Sequence, residues 1–218
     1  MCPRQAQHDA RDTARRGLRE RLTEVPPTLV HGPVAARLQT WSGQHRADAR
    51  RHVCAVLDGT RYLALLDGLD ALLADPPLRP AAGRPPESVF ATALHRDRAR
   101  LAARIETALA TGPGPGRDVA LHAARKAAKR ARYAAEAALP VLGKPAKRFA
   151  RRVKEVQTLL GEHQDSVMAR EAIRRLAAEA ADAGEPTFTY GLLYGREEMR
   201  ATAAERGLAD VQARLSLP

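Results

Sequence analysis

Apolar positions in this 218-residue chain recur three and four residues apart, with no sustained alternation, so the pattern predicts helices throughout. Leu18 and Leu22 mark a helix over about 10–24, which Pro26 and Pro27 end. Pro33 opens a long helix reaching about Asp58, with Val34, Leu38, Trp41, His45, His52 and Val56 along one side. Trp41 and those histidines read as packing residues rather than ligands. Asp58-Gly59-Thr60 breaks the chain and supplies a cap, and Arg61 to Ala74 follows as a Leu-rich helix. Residues 75–86, DPPLRPAAGRPP, form a Pro-rich linker between a helical unit at 1–80 and another at 87–218.

The second unit opens with a helix from Glu87 to Ala110, and the turn TGPGPG follows at 111–116. A strongly basic helix then runs to Leu139, where Pro140 and Gly143 are expected to stop it. Pro145 starts the next helix, with Phe149, Val153, Val156, Leu160, His163 and Val167 at the alternating spacing of an antiparallel-bundle seam. Gly161 is expected to break or kink it, a further helix to reach about Ala183, and a last one to span Pro186 to Arg206. His163, on the seam, is expected to be buried and satisfied by Asp165 or a backbone group. The fold class is all-α, built from antiparallel helices with short connections. Scarce aromatics, 4% of residues, and abundant Ala, Leu, Arg and Glu agree with that class.

Charge sharpens the picture. The formal net charge is +11, and the segment from Arg96 to Lys154 carries 16 Lys or Arg against four Asp or Glu. The remainder of the chain therefore sums to about neutral, and the positive charge is a property of one segment. All five Lys, at 126, 129, 144, 147 and 154, lie inside it; the other basic residues are Arg. A GC-rich genome produces such an Arg excess, and so does selection for the planar fork that grips phosphate oxygens; composition does not separate the two.

The densest stretch is Leu121 to Tyr133, LHAARKAAKRARY. At about 100° per residue, His122, Arg125, Lys126, Lys129, Arg130 and Arg132 share roughly a half-turn arc, opposite a small-residue stripe of Leu121, Ala124, Ala128, Ala131 and Ala135. Two further basic faces flank it in sequence: Arg96, Arg100 and Arg104 on the helix before, and Lys147, Arg151 and Lys154 on the helix after. Consecutive helices in a bundle are neighbours, so the faces either converge into a cationic groove or point separately to solvent. Convergence would demand a polyanion.

No P-loop, GxSxG, HExxH, catalytic Cys context or carboxylate pair is present, so the chain reads as a non-catalytic protein without metal or cofactor. Cys2 and Cys54 have no metal spacing and read as free thiols. Neither a signal peptide nor a membrane-length apolar run occurs, so no membrane insertion and a cytoplasmic location are expected.

Leu121-His122-x-x-Arg125-x-x-x-Lys129-Arg130-x-Arg132-Tyr133 resembles the hallmark helix of the CHAD family, the conserved histidine α-helical domain. Leu159-Leu160-Gly161-Glu162-His163-Gln164-Asp165 resembles its second signature, and Arg61-Tyr62, Leu65-Leu66 and Pro76-Pro77 resemble the connection between its halves. The resemblance implies two related four-helix bundles with a basic groove, inorganic polyphosphate as ligand and association with polyphosphate granules. It carries over His122, Arg125, Lys129, Arg130 and Arg132 by motif. Arg148, Arg151, Arg152 and Lys154 follow from a generally basic helix, and Lys126, Lys147, Arg96 and Arg100 complete the expected site. Arg11-Asp12 resembles the signature that follows the family's first basic helix, which implies a partial first bundle beside a complete second one. Exposed apolar surface at Trp41, Val53 and Leu65 is the expected consequence, covered by a homodimer mate or another subunit. The rival expectation is a nucleic-acid- or ribosome-associated basic protein.

Overall fold

The computed structural model describes residues 17–215 and is all-α, with no strand among them. Seven helices follow one another: the turns at 17–23 (α1), Val34–Leu57 (α2), Thr60–Ala74 (α3), Pro86–Ala110 (α4), Pro115–Leu142 (α5), Lys144–Asp182 (α6) and Phe188–Leu215 (α7). Short 3-10 turns stand at Pro27–Leu29 and Pro80–Gly83. Cys2, Arg11, Asp12 and the start of the first expected helix lie outside the described residues. The chain divides into two compact units, Met1–Arg84 and Pro85–Pro218.

In the first unit α2 packs against α3 across Asp58-Gly59. Leu18, Val25, Val34 and Leu38 are buried, but α3 buries none of its residues. Val53 is 48% exposed and Leu65 55% exposed, and Leu63, Leu69 and Leu72 stand out similarly. Trp41 is half-buried instead, with its ring centroid 4.9 Å from that of His45.

The second unit is a bundle. Consecutive helices pack along their lengths, and α4 also touches α7. Cross-helix contacts define antiparallel register: Asp97 meets Arg130, His122 meets Gln164, and Ser166 donates a 2.5 Å hydrogen bond to the Glu197 carbonyl. The core draws Leu101, Ile105 and Ala108 from α4, Leu121, Ala124, Ala128 and Ala131 from α5, Val153, Val156 and Leu160 from α6, and Leu208 and Val211 from α7. Small residues on α5 let its neighbours approach closely. Close approach recurs between α6 and α7, where a Cβ on Gly207 would sit 3.0 Å from Leu159 Cδ2.

Three expected boundaries are corrected. Pro140 does not stop α5, which runs on to Leu142. A proline this near a helix end forfeits one hydrogen bond to the carbonyl four residues back while keeping a helical φ. Gly143, at φ +56°, makes the stop, in a region that favours glycine. Gly161 does not break α6 into two elements: one 39-residue helix runs through it. The roughly 1 kcal/mol glycine penalty is outweighed by burial of Val156, Leu160, His163 and Ser166 around it. The last helix reaches Leu215 rather than Arg206.

Candidate cationic cleft

The end of the bundle at the α5–α6 turn is a cleft of about 540 Å³, lined by Arg132, Glu136, Lys144, Lys147, Arg148, Ala150, Arg151 and Lys154. Its geometry follows from helix periodicity. Lys147, Arg151 and Lys154 recur at four and three along α6, and one turn of α5 separates Arg132 from Glu136. A reversal of direction through the single residue Gly143 brings these stripes side by side.

Six cations thus surround one carboxylate. Glu136 Oε1 stands 3.6 Å from Arg132 Nε, whereas Lys144, Lys147, Arg148, Arg151 and Lys154 have no carboxylate partner among the described residues. The Arg132 guanidinium also stacks 5.1 Å from the centroid of the Tyr133 ring, which is half exposed. Lys144 and Lys147 occupy the first turn of α6, which contains no acidic residue and no side-chain cap. A helix N-terminus carries partial positive charge and disfavours cations. These two lysines therefore oppose the stability of their own helix.

The thirteen residues expected to form a site divide sharply. Arg132, Lys147, Arg148, Arg151 and Lys154 meet in the cleft. Arg100 and Arg130 are instead gathered by Asp97, a 4% exposed carboxylate that accepts from Arg100 Nη1 at 2.9 Å and lies 3.4 Å from Arg130 Nε. His122 is half-buried on the α5–α6 seam, where its Nδ1 lies 2.8 Å from Gln164 Oε1. Half-buried Arg125 and Lys129 and exposed Lys126 lie on α5 outside the cleft lining, as do exposed Arg96 on α4 and half-buried Arg152 on α6. The α5 and α6 faces thus converge in part, and the α4 face does not join them. Sequence reasoning missed Lys144 and Glu136. Lys144 had a signal: it stands between Gly143 and Pro145, where a helix starts and a cation is out of place.

A model of the CHAD domain family matches residues 5–174. The chain belongs to the CHAD family. Two curated relatives, each described as an uncharacterised protein, come from the CDC 1551/Oshkosh and H37Rv strains of Mycobacterium tuberculosis. Each is 38% identical over 194 residues, which cover 89% of this chain and 36% of the relative. This CHAD chain therefore spans about a third of the curated relatives it matches. No solved structure matches it. The family is linked to polyphosphate in general. No helix among the described residues of this CHAD protein is long and apolar enough to cross a membrane.

A second charged cluster lies inside this CHAD bundle, away from the cleft. His163 is 3% exposed, and its Nε2 sits 3.2 Å from Glu205 Oε1 and 3.4 Å from Asp118 Oδ1, without a well-aligned hydrogen bond. The partners come from α7 and α5, not from Asp165 as the local sequence suggested. Arg117 donates to Glu205 at 2.7 Å, and Arg170 lies 3.7 Å from Asp118. Burial holds the His163 pKa below its ordinary value; Asp118 and Glu205 pull it up, and Arg170 pushes it down. The unfolded chain therefore takes up a proton near pH 6.5 that the folded chain refuses. Stability from this group is present above about pH 6.5 and is lost as pH falls through that value. Urea midpoints measured from pH 7.5 to 5 should fall more steeply for the native chain than for His163→Gln; parallel curves would remove His163 from the acid sensitivity.

Proposed function

We propose that this CHAD chain binds inorganic polyphosphate, or a closely similar polyanion, without acting chemically on it, and that the α5–α6 cleft is the binding site. The observation carrying this reading is the group of five cleft cations without carboxylate partners, two of them set where a helix disfavours them. Polyphosphate carries about one negative charge per unit and has no bases to read. Arg forks and Lys point charges then suffice for recognition, and affinity falls steeply with salt through counterion release. Membership of a family linked to polyphosphate supports the same ligand.

Nucleic acid is the competing polyanion, favoured by the exposed Tyr133 ring beside Arg132. No aromatic residue lines the cleft itself, so successive bases would find no stacking platform there. Long-chain polyphosphate bound to the full chain at 0.1 M salt should resist displacement by single-stranded RNA or DNA at equal phosphate concentration. Equal or better displacement by either nucleic acid transfers the cleft to that ligand.

A further inference from the structure

We propose that the cleft is a short-segment site, gripping about five consecutive phosphate units and gaining little from a longer chain. This rests on the polyphosphate reading of the cleft and adds a chain-length limit to it. Six cations against the single carboxylate Glu136 leave five positive charges in excess. Along α6 the lining cations run from Lys144 to Lys154, a rise of about 15 Å.

Along α6 the positive surface is bounded by groups of this bundle. Toward α4, the nearly buried Asp97 holds both Arg100 and Arg130, which fixes the two guanidiniums and offsets one of their two positive charges. Along α6, the stripe that carries Lys147, Arg151 and Lys154 continues at helical spacing into Thr158, Gly161, Glu162 and Asp165. It turns from basic to neutral and then to acidic within three turns. On α5 the matching advance reaches His122, already bonded to Gln164. A chain extended past Lys154 would meet Arg125 and Lys129 on one side and carboxylates on the other, with little net attraction. At the opposite end lies Gly143, where the backbone reverses between α5 and α6.

The test titrates the full chain with tripolyphosphate and with polyphosphates of about five, fifteen and one hundred units, over a range of salt concentrations. Affinity per binding site should rise up to about five units and then level off, with a log–log salt slope near −3.5 for five units and for one hundred alike. Changing Lys147, Arg151 and Lys154 together to Ala should make both slopes shallower by about 2, while Arg125→Ala with Lys129→Ala leaves both unchanged. These side chains are solvent-exposed or at the half-buried edge of α5, so the variants should keep their helicity, which circular dichroism checks. A slope that steepens with chain length, or that Arg125 and Lys129 control, overturns the short-segment site and leaves polyphosphate binding intact. Failure of the hundred-unit chain to bind at all overturns both.

Discussion

Reversing two lysines should abolish polyanion binding and make the protein more stable. With Lys144→Glu and Lys147→Glu together, the cleft loses two cations and gains two anions, a change of four charges beside the ligand. Each charge is worth roughly a factor of five in affinity at 0.1 M salt, so polyphosphate affinity should drop by about 10³. The free protein responds the other way. Both positions lie in the first turn of α6, whose N-terminus carries no acidic residue or side-chain cap. Acidic groups there interact favourably with the helix dipole, for about 0.3–1 kcal/mol each, and they relieve repulsion from Arg132, Arg148 and Arg151. Isothermal titration with long-chain polyphosphate and urea unfolding of the same samples read the two effects. Lost binding with lost stability would mark these lysines as structural; unchanged binding would move the site away from the cleft.

A single added side chain on the back of α5 should do the most damage to the fold. Ala128 is fully buried, in a row with Ala124, Ala131, Ala135 and Ala138, all with no exposed surface. Ala124, Ala128 and Ala131 of this row share one cluster with Leu101 and Ile105 of α4 and Val153 and Val156 of α6. Ala128→Leu inserts three carbons where native packing leaves no room, and such overpacking costs about 1–3 kcal/mol. The denaturation midpoint should fall accordingly. Ala137→Leu, on the exposed side of the same helix, provides the control and should shift it little. Equal effects at the two positions would mean that α5 does not pack through its alanine stripe.

These outcomes rest on features with different origins. The alanine stripe was legible before any coordinates, because a 3.6-residue period assigns each residue to a side of its own helix. So were the helical class, the breaks around Asp58-Gly59 and after Ala110, and the concentration of charge between Arg96 and Lys154, although α5 begins at Pro115, inside the expected 111–116 turn. Gly161 misled because local propensity is weak, about 1 kcal/mol for a mid-helix glycine, and packing along α6 outweighs it; Pro140 misled because it stands two residues from the end of α5, where it forfeits one hydrogen bond and keeps a helical φ. Apolar exposure foreseen at Val53 and Leu65 is present, whereas Trp41 is half-buried beside His45.

Periodicity cannot say which neighbour a charged face meets, and the candidate site depended on that. Arg130 and Arg132 stand two residues apart on one basic helix, yet one turns to Asp97 on α4 and the other into the cleft beside α6. His122 and Gln164 are 42 residues apart, and Asp118, His163 and Glu205 come from three helices. By itself the sequence determined that this protein is helical, that one segment holds its positive charge, and which side of each helix is polar; these are properties of local spacing and composition. Only the tertiary structure decided which cations are neutralised within the bundle and which stand together without a counter-charge. Coulomb interactions depend on distance through space, and the reversal at Gly143 set those distances for Lys144, Lys147, Arg148, Arg151, Lys154 and Arg132.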